Sequence, residues 1–208
     1  MNKKKILYYL LFFIVLTIVF QVFIFKGTDF FNKSSLPKRS RIESFSFLNQ
    51  DGNVFTNTNM QGKVCVVNYF FTTCKGICTK MNNNMKLIYE AFKNEPNFLI
   101  VSSTCNPGTD SVSVIKHYAD SLKVDTKKWV FLTGRKDSLY NIARNSYGID
   151  DPKRALANID DDFMHTQFFA LVDKNGNVRG GVYDGLKNNE IEKLKKDIAG
   201  LLKEKQEQ

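Results

Sequence analysis

"NYFFTTCKGICTKMNNNM", residues 68–85, is where an apolar run gives way to a polar, helix-patterned one, with Cys74 and Cys78 standing at the break. Upstream, "KVCVVNYFF" (63–71) is apolar and β-branched without alternation, which predicts a strand buried on both faces. Downstream, Met81, Met85, Ile88 and Phe92 recur at spacings of three and four, which predicts a helix reaching about Asn94. The two cysteines thus leave a central strand and enter a helix. In open α/β sheets that carboxyl edge is where sites are built.

The flanking segments extend this pattern. "SFSFLNQDGNVFTN" (44–57) alternates around Asp51-Gly52 and reads as a hairpin. "NFLIVSST" (97–104) and "KWVFLT" (128–133) read as further strands. Between and after them lie two helices, "SVSVIKHYADSL" (111–122), capped by Thr109, Asp110 or Ser111, and "DSLYNIARNSYG" (137–148), closing on Gly148. "TQFFALVD" and "VRGGVYDG" flank "KNGN", a second hairpin, and "NEIEKLKKDIAGLLKEK" (189–205) is an amphipathic helix. Strand and helix alternate first, and a hairpin and helix follow. That order predicts an α/β fold, a thioredoxin-like sandwich with a mixed central sheet and helices on both faces.

The net charge of +9 is not spread over this domain. Residues 1–41 hold eight basic side chains and one acidic, a balance of +7, while the remainder holds 22 and 20, a balance of +2. A nucleic-acid binder carries its charge as a face or stripe of the folded domain, so that class is set aside. Behind "MNKKK" runs "ILYYLLFFIVLTIVFQVFIF" (6–25), free of formal charge. As a helix it spans about 30 Å, the thickness of the hydrocarbon layer. It ends in bulky residues and Lys26, without the small-residue site of a cleaved signal peptide. The lysines ahead of it keep that end cytoplasmic. The expected organisation is an N-terminal transmembrane anchor at 1–25, a basic linker at 26–41 and an exported domain at 42–205. Its expected location is the inner membrane, with the domain in the periplasm.

Cysteines at i and i+4 on a first helical turn share one face, and the helix amino terminus favours the thiolate. Both sulfurs can reach one metal ion, or each other, in an oxidising compartment. The pair alone leaves metal binding and disulfide chemistry open. Of the two histidines, His117 sits mid-helix among polar neighbours and reads as a surface residue. His165, in "DDDFMHTQFF", lies just before the strand of the second hairpin. In a thioredoxin-like order the loop entering that strand faces the cysteine helix. Two thiolates and an imidazole make a soft donor set that suits Cu(I), with Cu(II) accessible. Cys65, inside the first strand, reads as a small core residue. Cys105 ends the neighbouring strand and reads as a partly buried thiol, with a resolving role as the alternative. Met81 and Met164 read as packing residues.

These segments resemble the Sco/SenC family of membrane-anchored, thioredoxin-fold copper chaperones. "FFTTCKGICTKM" is similar to the family's aromatic-Thr-x-Cys-x-x-x-Cys segment, "VSSTCNPGTDS" to its Ser-x-Asp-Pro segment, and "HTQFFALVDKNGNVRGGVYDG" to its His-strand-hairpin segment; "FLTG" is shared as well. The resemblance implies copper ligands at Cys74, Cys78 and His165. It also implies delivery of copper to the binuclear copper site of cytochrome c oxidase, with the receiving oxidase subunit as partner and no bond-making catalysis. Lys75 and Thr79 stand where the family has proline, and Asn106 where it has aspartate. Lys75 is expected to set a positive charge beside the site. The alternative reading is a periplasmic thiol-disulfide oxidoreductase in which Cys74 attacks and Cys78 resolves.

Overall fold

The computed structural model describes residues 3–27, 36–74, 76–154, 158–159, 162–164 and 166–206. The chain forms two compact units, Met1–Lys33 and Ser34–Gln208. In the first, helix α1 (Lys3–Gly27) contains a stretch, Lys4–Gln21, long and apolar enough to cross a membrane by length and composition. Its one hydroxyl in that stretch outside the tyrosines, Thr17, donates to the carbonyl of Phe13 at 2.7 Å, which satisfies the group within the helix.

In the second unit the described residues form an eight-stranded sheet ordered β1-β8-β7-β4-β5-β6-β2-β3. Strands β4 (Val64–Phe70), β5 (Phe98–Thr104) and β6 (Trp129–Thr133) run parallel at its centre. Every residue of the three is buried, so their apolar runs do not alternate. β7 (Phe168–Val172) and β8 (Asn177–Asp184) extend the sheet on one side as an antiparallel hairpin. β2 (Ser46–Asn49) and β3 (Val54–Thr56) do so on the other. β1 (Lys38–Arg41) pairs antiparallel with β8, so the last four residues of the segment read as a linker belong to the sheet.

Period-two alternation divides the strand side chains between two cores. Val64, Val66 and Phe70 face helices α2 (Cys78–Phe92), α3 (Val112–Leu122) and α5 (Asn188–Lys203). Cys65, Val67 and Tyr69 face the other layer, where α4 (Lys136–Asn141) packs. Helices thus cover both faces, as the element order predicts. One helix differs from expectation. The segment read as 137–148 begins as α4 and widens into π turns over Ile142–Tyr147 before stopping at Gly148, in the left-handed region at φ 62°. Within these turns lies Arg144, whose guanidinium is held inside the protein by Asp150 and Asp162.

Gly185 is the tightest backbone approach near the His-bearing segment. A Cβ there would lie 2.7 Å from the carbonyl oxygen of Gln167 and equally close to the ring of Phe169. The same residue ties α2 to the hairpin, because Asn84 donates to its carbonyl at 2.8 Å. Gly185→Ala is expected to lower stability by about 1–3 kcal/mol through overpacking. Gly181→Ala, where nothing lies within 4 Å, is expected to shift it by less than about 0.5 kcal/mol. Urea melts of the two variants beside the unaltered chain check this.

Candidate metal centre

The site is built where β4, β5 and β6 end. A single carboxylate, that of Asp110, gathers these ends. Fully buried, it accepts hydrogen bonds from the hydroxyls of Thr72 and Thr104 and from the amide of Thr72 at 3.2 Å. The Asp110 carbonyl accepts the Thr133 hydroxyl at 2.8 Å. The sequence pattern marked Asp110 only as one of three candidate caps for α3. In the structure Ser111 holds the cap position and Asp110 turns inward.

Fastened at Thr72, the chain after β4 folds back so that the Cys74 amide donates to the Phe71 carbonyl at 3.2 Å. Four residues on, Cys78 opens α2, whose cap position, Ile77, supplies no side-chain hydrogen bond. The first-turn amides thus lack a capping side chain. Burial alone would raise the Cys74 thiol. A hydrogen bond from the Cys78 thiol, with others from the amides of Gly76 and Cys78, outweighs this and holds Cys74 below the ordinary cysteine value. Cys78 moves the other way. Burial first, then its hydrogen bond to Cys74 and the charge there, push it up to about 12. The two thiols are therefore unequal, with Cys74 part-buried and shifted toward the thiolate and Cys78 buried and held as the thiol.

Across the site, the segment entering β7 is held on both sides of position 165. Asp162 takes both terminal nitrogens of Arg144, at 2.7 and 3.1 Å, and Asp150 takes its Nε at 2.8 Å. The Met164 amide donates to the Tyr140 hydroxyl at 3.1 Å, and that hydroxyl donates to the Cys105 carbonyl at 2.7 Å. The Thr166 hydroxyl donates to the Ile149 carbonyl at 2.7 Å. Phe163 meets Phe71 edge-to-face, with centroids 5.4 Å apart, which joins this segment to the cysteine turn.

Of the residues singled out from sequence, Cys74 and Cys78 come together. His165 and Lys75 lie outside the described residues. Among the described residues no three His, Cys, Asp or Glu side chains converge as a metal cluster. His117 is exposed on α3, Cys65 is fully buried in β4, and Met81 and Met164 are core residues. The roles of Asp110, Arg144 and Tyr140 were not legible, since each depends on a long-range partner.

The SCO1/SenC family model matches residues 33–203. The chain belongs to the SCO1/SenC family. A curated member of it, the SCO1 protein homolog of Bacillus subtilis, is 27% identical over 166 residues, which covers 78% of this chain and 83% of that one. The solved structure of BsSco, a member of the Sco family of cytochrome c oxidase assembly proteins in which a disulfide switch was identified, is 24% identical. It superposes with a TM-score of 0.67, covering 82% of this chain and 97% of that one. Yeast Sco1 with copper bound is 23% identical with a TM-score of 0.58, covering 77% and 90%. The thioredoxin-like fold of this SCO1/SenC chain is shared with both.

Two measurements follow from the site. Alkylation of Cys74 is expected to have its pH midpoint below that of an unperturbed thiol, and Cys78→Ala is expected to raise that midpoint by removing a donor to the thiolate; iodoacetamide rates followed by mass spectrometry read both. Arg144→Met leaves Asp150 and Asp162 buried without their cation and is expected to destabilise the domain by about 3–5 kcal/mol, measured by denaturant unfolding.

Proposed function

We propose that this chain is a copper metallochaperone, held by α1 in the inner membrane with its domain in the periplasm. Cys74 and Cys78 supply thiolates and His165 the imidazole for a single copper ion, Cu(I) or Cu(II). The ion passes by stepwise ligand exchange to the oxidase subunit that carries the binuclear copper centre of cytochrome c oxidase. The observation that carries this reading is the placement of Cys74 and Cys78, four residues apart, where the central strand β4 gives way to the uncapped start of α2. Two thiol donors at that spacing suit a soft ion, and one is already biased to its ligating, deprotonated form. Membership of the SCO1/SenC family and the copper bound by yeast Sco1 support the choice of metal.

A second reading, a periplasmic thiol-disulfide oxidoreductase, is favoured by the inequality of the two sulfurs. A depressed, half-buried Cys74 is fit to attack a client disulfide, and a buried Cys78 beside it is fit to resolve the mixed disulfide.

Copper retention separates the two. The reduced full-length chain in detergent, loaded with Cu(I) or Cu(II) and desalted, is expected to keep one copper, with a thiolate-to-copper absorption in the Cu(II) form. Cys74→Ser, Cys78→Ser and His165→Ala are each expected to weaken retention by at least the roughly 10–100-fold that outer-shell changes cost at metal sites. No retained copper, together with a Cys74–Cys78 disulfide that exchanges readily with client thiols, would leave the oxidoreductase.

A further inference from the structure

At the β1 border of the sheet lies a pocket of about 390 Å³ that the copper reading does not use. Its lining carries three cations, Lys38, Arg41 and Lys174, with four side-chain amides, Gln61 and Gln206 among them, and no carboxylate. In a regular strand Lys38 and Arg41, three residues apart, would face opposite ways. β1 is not regular. Lys38 stands opposite Arg179 and Arg41 opposite Asn177, while Ser40 takes Val178, so Arg39 is an extra residue bulged out of the ladder. Arg179 and Asn177 are two apart on β8 and share a face, and the bulge brings Lys38 and Arg41 to that same face. Ser40 and Val178 take the other face, where the Ser40 hydroxyl donates to the Ser146 carbonyl at 2.7 Å and Val178 joins the core.

The third cation comes from the turn between β7 and β8. Lys174 donates to the carbonyls of Leu202 and Glu204, at 2.7 and 2.6 Å, where α5 ends, and its ammonium keeps a third donor. The Lys174 carbonyl accepts the Gly62 amide at 2.9 Å, which fastens the turn carrying Gln61 to the same place. Beside these groups Arg179 is buried and shared between Asp173 and Glu204. With the three cations of the lining, four positive charges stand against two negative, a surplus of two.

We propose that this pocket binds a phosphoryl group, as inorganic phosphate or as the phosphodiester of an anionic lipid headgroup. A phosphoryl oxyanion offers more acceptor oxygens than a carboxylate, so it can engage a guanidinium and two ammonium groups at once. The amides around them supply further donors. Residues 28–37 alone join α1 to β1, so the pocket follows the proposed anchor closely along the chain. A lipid phosphate is therefore a second source beside a dissolved one.

Lysine acylation of the full-length chain, read by mass spectrometry, tests this. In neutral detergent the chain is titrated with inorganic phosphate at constant ionic strength. In a second arm, phosphatidylglycerol is titrated into phosphatidylcholine nanodiscs that hold the chain. Binding is expected to slow acylation of Lys38 and to leave that of Lys127, exposed and outside the pocket, unchanged. Arg41→Gln is expected to weaken binding roughly tenfold, the size of one charge-assisted hydrogen bond. Arg39→Gln removes the same charge from the bulge, outside the lining, and is expected to leave binding unchanged. Protection by dissolved phosphate assigns the free anion, and protection confined to phosphatidylglycerol assigns the headgroup. The proposal is overturned if Lys38 is slowed no more than Lys127 in both arms. It is overturned equally if Arg39→Gln and Arg41→Gln act alike, since that result leaves only an undirected basic surface.

Discussion

The Asp110 carboxylate is the constraint on which the site depends. Parallel strands end at different heights unless something levels them, and here one buried acid binds the exits of two and the carbonyl of the same residue binds the third. A buried carboxylate without donors would be strongly destabilising, so the threonines that satisfy it are as necessary as the acid itself. With Thr72 fixed, the exit of β4 toward Cys74 is held at this carboxylate.

A second buried charge does comparable work on the opposite side. Arg144 with Asp150 and Asp162 forms an ion cluster in which all three side chains are at least nine-tenths buried. Such clusters add little net stability compared with an apolar core, but they specify one arrangement because every other leaves a charge unpaired. The arrangement specified is that of the segment entering β7. The guanidinium also sits over the Tyr140 ring, 5.3 Å from its centroid. Tyr140 in turn bridges this segment to the end of β5, so the two halves of the site are joined through one phenol.

The strands and most helices were legible because their apolar residues repeat at periods that only one element satisfies. β4, β5 and β6 betrayed their central place by having no polar face at all, and both hairpins by their turn residues. The π turns after α4 left no such trace, since Ile142, Ala143 and Tyr147 are apolar at spacings an ordinary helix also accepts. The cysteine pair was legible from spacing and position alone. Its electrostatic asymmetry was not, because it arises from unequal burial and from what each thiol and the nearby amides do to the other, which no spacing encodes. Asp110 was visible as an acid beside a helix start, yet the direction in which it turns is decided by Thr72, 38 residues away.

The edge strand β1 gives the basic flank of the sequence a meaning. A sheet that ended at β8 would offer an unpaired backbone ladder to any strand of matching length. β1 covers that ladder and presents Lys38, Arg39 and Arg41 in its place, all exposed. Two copies meeting along these borders would bring like charges together before any backbone pairing could form. At the opposite border β3 is only three residues long, too short to template a partner. Three of the eight basic residues of that flank, which at first glance invite a polyanion, thus line the border of the sheet.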